Sequence, residues 1–399
     1  MKNINAGVIG LGCRGSAMLD LLLQIEGVTV SWVCDLYEDR IAAGIQAVEK
    51  AGQKTPLSTQ SYRDMLSDPS LDAVFIFSAW ENHVPAAVDC MLAGKCTAME
   101  VGGAYSIDDC WQLVRTYEKT KTPFMLLENC CYGKRETMVL NMVRKGLFGE
   151  VVHCRGGYCH DLREEVAFGK ENRHYRLKNY LHRNCENYPT HELGPIAKVL
   201  NINRGNCMLS LVSVASKAAG MKEYIKQKKP DDAVLMNADF AQGDIITTVI
   251  TCADGATILL TLDTTLPRSY SRGFTVQGTK GMYSEESDSV YLDGVSTHAW
   301  EAEPTWGTAK HFEEHLSPVW KDYMENGIKG GHGGIDWLEL CAFVDCVRSG
   351  APMPIDVYDA AAWMAVTPLS EASIATGNAV AFPDFTNGAW TDRAPLDVL

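Results

Sequence analysis

No apolar run in this chain of 399 residues approaches the ~20 residues that span a bilayer. The best candidate, 245–262, is broken by Asp254 and Gly255. The opening segment lacks a signal-peptide layout, because its apolar residues run straight into a glycine-rich turn. A cytoplasmic protein with no membrane partner is the expectation. Basic residues are in deficit, with 36 Lys and Arg against 50 Asp and Glu and a formal net charge of −14. That argues against a face for phosphate backbones, so nucleic acid is not an expected partner. The 14 cysteines contain no C-x-x-C pair, and Cys130 and Cys131 are adjacent. They read as reduced thiols packed as small hydrophobes, not as a disulfide framework. No metal is expected either. The run His311-Phe312-Glu313-Glu314-His315 lacks Glu at its second position. His153, Cys154, Cys159 and His160 would be split across two faces of a strand. There is no internal repeat and no low-complexity tract.

What is present is globular: 46% hydrophobic and 22% charged residues. Apolar runs at 6–9, 28–33, 73–77, 96–99 and 124–127 alternate with helical patterns at 16–25, 38–50, 84–93 and 108–119. Short apolar strands between helices predict βαβ units and a parallel sheet covered on both faces. Beyond residue 128 the pattern changes. A helix is expected at 134–145 and a strand at 151–158. A polar, irregular loop follows at 159–187. Antiparallel strands are expected across 247–262, 274–277 and 290–292, with turns at Asp254-Gly255 and Lys280-Gly281. Helices at 335–348 and 357–375 are closed by Gly350 and Gly377. The expected fold is α/β: a Rossmann dinucleotide-binding domain at 1–128, then an α+β domain with a large open antiparallel sheet at 129–399.

Gly10-Leu11-Gly12-Cys13-Arg14-Gly15 is a G-x-G-x-x-G run between a predicted strand and a predicted helix. Its glycines allow a tight turn and close approach of backbone to a pyrophosphate, and the helix start adds N–H groups and partial positive charge. Asp35 ends the second strand 20 residues later. A carboxylate there accepts from a ribose 2′-hydroxyl and repels a 2′-phosphate, so NAD is expected rather than NADP.

The glycine loop, Val33-Cys34-Asp35, His83 and Ala93-Gly94-Lys95 together resemble the Gfo/Idh/MocA family of sugar-handling oxidoreductases. Within it the chain resembles glycoside hydrolase family 109, the NAD-dependent α-N-acetylgalactosaminidases. The segments that carry this are Trp80-Glu81-Asn82-His83, Met99-Glu100-Val101, Leu127-Glu128-Asn129-Cys130-Cys131-Tyr132, Gly156-Gly157-Tyr158-Cys159-His160-Asp161-Leu162 and Tyr188-Pro189-Thr190-His191, with later matches at 201–205, 267–272, 330–334, 356–363 and 383–390. The likeness runs from about residue 5 to residue 390. Ordinary members of the wider family carry Glu-Lys-Pro where this chain has Glu100-Val101-Gly102, and valine cannot relay a proton. The run before His191 also departs from the family pattern at Cys185, Glu186, Asn187 and Glu192. Those changes leave the identity of the sugar and its anomer open.

The resemblance implies a redox route to glycoside cleavage: transient oxidation at sugar position 3, loss of the carbon-2 proton, elimination of the anomeric substituent, water addition and re-reduction. NAD would stay tightly bound and be regenerated each turnover. The implied cofactor contacts are Gly10, Gly12, Cys13, Arg14, Gly15, Asp35, Trp80, Glu81, Asn82, His83, Glu100, Val101 and Asn129. The implied substrate contacts are Tyr158, Arg176, Tyr188, Pro189, Thr190, His191 and Tyr270. His191 and Tyr158 are the catalytic candidates, with interchangeable roles. The plain reading of each is open too: a structural histidine, a core tyrosine, a solvated arginine, a strand-edge tyrosine. Gly330–Gly334 could be a simple connection or could place His332 at the site. Imported glycosides or small oligosaccharides are the expected substrates, and the family implies a homo-oligomer. Two alternatives stand beside the glycosidase: a net NAD-dependent dehydrogenase making 3-keto sugars, and a non-catalytic NAD-linked sensor.

Overall fold

The computed structural model describes residues 3–102, 104–296 and 306–399. It divides into two compact units. The first holds the chain up to Tyr132 together with Asn326–Met364 and Val398. The second holds Gly133–Glu325, Ala365–Asp397 and Leu399.

In the first unit β1 (Ile4–Ile9), β2 (Val28–Cys34), β3 (Leu57–Thr59), β4 (Ala73–Ile76), β5 (Cys96–Glu100) and β6 (Phe124–Leu127) form one sheet in the order β3-β2-β1-β4-β5-β6. All neighbours run parallel. β4 is buried at every position, as the continuous apolar run predicts. The strand order reverses between β1 and β4, the switch point where ligands bind in such sheets. Helices Cys13–Leu22 and Trp80–Leu92 start three and four residues ahead of expectation, so both open directly beside the strand ends. Ser106 caps the helix Ile107–Thr120 in a reciprocal box with Asp109.

Residues 326–364, expected in the second domain, pack in the first unit. The helix Ile335–Ser349 lies on β6 and the turn Asn129–Tyr132, and Val357–Met364 lies on Ile107–Thr120 and β6. β6 is an edge strand, and the returning chain covers it: the Leu126 N–H donates to the Ile355 carbonyl at 3.1 Å. This return has no local signature in the sequence.

The second unit is built on β7 (Val151–Cys159), β8 (Met208–Ala215), β9 (Ile245–Cys252), β10 (Thr257–Asp263), β11 (Thr275–Gly278), β12 (Gly281–Ser284), β13 (Ser289–Leu292) and β14 (Val380–Ala381), in the order β13-β12-β11-β7-β10-β9-β8-β14. Pairing is antiparallel except between β7 and β10, which run parallel. The β9–β10 hairpin turns through Asp254-Gly255, with Gly255 at φ +93°. Gly281 begins β12 instead of sitting in the preceding turn. Helix Thr190–Val199 packs on β7, and Val366–Thr376 packs on β8.

Two expectations are corrected here. The polar stretch 159–187 holds the helices Arg163–Ala167 and Arg176–His182. They form because Val166, Ala167 and Tyr180 bury against Met221, Ile225 and Phe240. The single helix expected over 357–375 is two, Val357–Met364 and Val366–Thr376. Pro368 has no N–H for the Met364 carbonyl, which breaks the ladder there. Among the described residues no helix is long and apolar enough to cross a membrane.

Gly157 has no room for a side chain: a Cβ would stand 2.0 Å from the Thr261 carbonyl oxygen of the paired strand. Gly157→Ala is expected to cost at least about 1–3 kcal/mol by forcing β7 from β10. Urea denaturation measures it, and an unchanged midpoint would contradict the close pairing.

Candidate active site

The glycine loop and the residues expected around it lie in the first unit. Gly10 sits at φ +91°, and a Cβ there would meet Ser78 N at 2.6 Å. A Cβ on Gly15 would stand 1.9 Å from the Gly10 carbonyl, so this glycine lets the helix close on the loop. Gly12 is different: a Cβ would meet only the Arg40 side chain, at 3.5 Å. Its backbone therefore lies open to a ligand. Among the described residues no side chain caps the helix that begins after Gly12, and its first turn holds no acid. Those N–H groups suit an anion. The Asp35 carboxylate accepts from Leu11 N at 2.7 Å and Tyr37 N at 3.0 Å, which aligns the loop with the end of β2. Arg40 lies 3.9 Å away from it.

Trp80 and His83 are buried at the start of Trp80–Leu92, Asn82 is partly buried and Glu81 is exposed. The His83 ring spans two loops, with Nε2 at 2.7 Å from the Ser78 carbonyl and Nδ1 at 3.2 Å from that of Gly102. Burial lowers its proton affinity, so the neutral ring gives its N–H to the closer carbonyl. Gly102 has φ +78°, outside the range of proline, and a Cβ there would strike the Trp80 indole at 2.6 Å. The glycine after Glu100-Val101 is thus required by the packing of Trp80.

Arg14, Glu100, Val101 and Asn129 meet in one network. Arg14 donates from Nε to Glu100 at 2.5 Å and from Nη1 to Asp336 at 2.7 Å, with Glu339 at 3.4 Å from Nη2. Glu100 also accepts from Val101 N at 3.0 Å, and Asp336 from Asn129 Nδ2 at 2.7 Å and His332 Nδ1 at 2.8 Å. These donors hold the Asp336 carboxyl well below the usual range against the opposing effect of burial. Burial pushes the Glu339 carboxyl the other way, well above that range despite Arg14. Sequence reasoning missed Asp336 and Glu339. Their signal is two acids three apart inside the apolar helix Ile335–Ser349, whose interior is an unfavourable place for unpaired charge.

The residues expected around the substrate form an aromatic cluster in the second unit. Tyr158, at the end of β7, is surrounded by rings: Tyr188 at 4.4 Å between centroids, His191 at 5.3 Å, His160 at 5.6 Å and Tyr270 at 6.3 Å. His191 meets Tyr188 edge-on at 4.7 Å. The Arg176 guanidinium lies 5.0 Å over the Tyr188 ring and is held by Glu165 at 2.5 Å. Pro189 and Thr190 are buried at the start of Thr190–Val199, which aims His191 at the cluster. Tyr270 is half-exposed at the rim. Tyr158, Arg176, Tyr188, His191 and Tyr270 thus come together. The residue missed is His160, whose Nδ1 lies 2.9 Å from the Tyr158 hydroxyl. The same alternation that argued against a metal cluster puts residues 158 and 160 on one face.

The family model for the C-terminal domain of glycosyl hydrolase 109 matches residues 132–392. A glycosyl hydrolase family 109 protein of Stenotrophomonas maltophilia is 38% identical across 99% of this chain and 92% of its own length. The chain belongs to glycosyl hydrolase family 109. It is a glycosidase by that membership. An α-N-acetylgalactosaminidase of Tannerella forsythia is 37% identical over 98% of this chain and 88% of its own. Among solved structures, levoglucosan dehydrogenase in complex with NADH and levoglucosan matches 96% of this chain and 100% of its own, with a TM-score of 0.71 and 18% identity. A myo-inositol 2-dehydrogenase from Lactobacillus plantarum gives 0.68 at 17% identity. The fold is therefore that of these dehydrogenases.

This family 109 chain buries its four departures near His191. Cys185 and Asn187 are tied to Gln242. Glu192 lies over Gly156, where a Cβ would meet its own at 2.6 Å, and pairs with Arg272 Nε at 3.3 Å. Arg272 also pairs with Glu136. Burial pushes the Glu186 carboxyl up to about 8, with only the Tyr188 N–H pulling it back.

Because Glu186 holds its proton more tightly folded than the ordinary 4.5, the folded state carries the extra proton between those limits. The protein should lose stability as pH rises through that window, on the order of 1.4 kcal/mol per tenfold change in proton affinity. Glu186→Gln removes that loss. Thermal unfolding across the range should show the variant gaining on the wild type as pH rises, and parallel curves would refute the assignment.

Proposed function

We propose that this glycosidase is NAD-dependent and cleaves a small α-N-acetylgalactosaminide-like glycoside through transient oxidation at sugar position 3. The cluster of Tyr158, Tyr188, His191 and Tyr270 around one phenol carries the reading: aromatic faces to seat a sugar, and two proton-transfer groups within the same box.

The open backbone at Gly12, the uncapped helix start and Asp35 fit a dinucleotide, with Gly10, Gly12, Cys13, Arg14 and Gly15 at the pyrophosphate and Glu100, Val101 and Asn129 toward the nicotinamide. When bound, NAD would accept and return the hydride of the sugar's 3-position, leaving no net redox change. His191, whose ring meets Tyr158 and Tyr188 edge-on, takes the 3-hydroxyl proton. Tyr158 moves the proton at carbon 2 or at the departing oxygen. Arg176 and Tyr188 orient the ring, with Tyr270 closing the rim. Val101 stands where a lysine would serve a net dehydrogenase, which favours the glycosidase. The 14 cysteines, none in a disulfide, suit a cytoplasmic protein acting on imported glycosides.

A chromogenic glycoside panel, with nicotinamide absorbance followed in parallel, tests this. The expected result is aglycone release without net NADH, with solvent deuterium at carbon 2 of the product. His191→Ala should slow turnover about 10²–10⁴-fold. NADH rising in step with sugar consumed would make the chain a dehydrogenase, and nucleotide binding without turnover a sensor. Asp336→Asn, which strips a charged partner from Arg14 and Asn129, should weaken NAD binding about tenfold by calorimetry. An unchanged Kd would remove Asp336 from the cofactor half.

A further inference from the structure

Tyr158 is 7% exposed, so its phenol has little direct access to water. A buried acid–base group that works every turnover needs a path for its proton. Such a path is visible. The Tyr158 hydroxyl lies 2.9 Å from His160 Nδ1, and His160 is only partly buried. Its ring is held edge-on against both Tyr158 at 5.6 Å and the half-exposed Tyr270 at 5.2 Å. His160 therefore touches both the buried phenol and a ring at the rim, and is itself more exposed than the phenol.

We propose that His160 is a positioning residue that relays protons between Tyr158 and solvent. The step deepens the glycosidase reading and rests on it. With the proton on Nδ1, Tyr158 gives its O–H proton to the departing glycosidic oxygen, the phenol oxygen takes the Nδ1 proton, and Nε2 takes one from water. One bond to hydrogen forms for each that breaks. In reverse, a proton taken at carbon 2 leaves through Nε2. A phenol with an ordinary pKa near 10 is ill matched to neutral water, and an imidazole is well matched. The groups facing His160 act in both directions: Arg176 and His191 disfavour its charge, and Glu165 and Asp161 favour it. Burial outweighs them and keeps the ring neutral at pH 7, with one nitrogen to donate and one to accept.

The test uses the NAD-loaded protein with His160→Ala and His160→Gln. Both should release aglycone at least about 100-fold more slowly, with sugar affinity within about threefold of wild type. Added imidazole should restore the alanine variant in proportion to its concentration, and substituted imidazoles should do so according to their pKa. Glutamine preserves a hydrogen bond to Tyr158 but cannot relay, so it separates relay from packing. Either variant working at the wild-type rate would overturn the proposal, as would a loss that no imidazole repairs. If the wild type cleaves no glycoside, the glycosidase reading fails by itself. The relay contact is then judged in the free protein by tyrosine ring-carbon NMR, with the Tyr158 signal assigned through Tyr158→Phe. That signal should inflect at the His160 titration in wild type and lose the inflection in His160→Gln. No inflection in wild type overturns the relay independently.

Discussion

Three carboxylates converge on the guanidinium of Arg14, and the nucleotide unit is arranged around that convergence. Glu100 ends β5, while Asp336 and Glu339 come from a helix more than 300 residues after Arg14. Asp336 then reaches Asn129 beyond β6. One cation thus joins the glycine loop, two strand ends and the returning segment. Three buried negative charges against one positive charge would be costly. The cost falls because Glu339 keeps its proton while Asp336, with three donors, gives its proton up. Removing Arg14 from such a network would leave buried carboxylate charge uncompensated and cost about 3–5 kcal/mol, far more than the network contributes to stability when intact.

The same economy governs the second unit with different chemistry. Around Tyr158 the neighbours are rings, which supply shape and edge-to-face attraction without bringing charge to the phenol. Arg176 is the cation in that group, and Glu165 fixes its direction. The cluster therefore offers aromatic faces, one oriented guanidinium and two imidazoles, the chemistry on which the proposed sugar site rests. The Glu192–Arg272–Glu136 cluster ties the helix carrying His191 to the segment carrying Tyr270. Glu192 fits there because Gly156 leaves its volume empty.

Much of this was legible in the sequence where local chemistry decides structure. The alternation of apolar strands and helices located five of the six parallel strands, and the glycine loop declared its turn. β3, only three residues and largely exposed, left no pattern. β8 was missed because Val212 and Val214 are apolar on its exposed face, which erases the alternation. The helices within 159–187 bury only a few residues each, so their apolar period is too short to read. Asp336, Glu339 and the return of 326–364 depend on contacts across most of the chain's length, which no window of sequence contains. His160 was the reverse case. Its position on the face of Tyr158 is readable from strand alternation, but the hydrogen bond between the two side chains depends on their rotamers, which the sequence does not carry.

The deficit of basic residues now has a more exact meaning. A formal charge of −14 counts every carboxylate as ionised. Yet Glu339 and Glu186 hold protons near neutrality, and burial raises Glu136 as well. The folded chain is therefore less negative than its composition states, and the difference is concentrated in the interior. A neutral buried carboxyl donates a hydrogen bond where a carboxylate can only accept, so Glu339 and Glu186 act as polar packing groups and not as charges. Arg14 and Arg176 stay charged through the same burial because each sits against ionised acids or electron-rich rings. Two of the buried guanidiniums thus keep their charge at the residues that carry the functional reading: Arg14 beside the glycine loop and Arg176 beside the aromatic cluster.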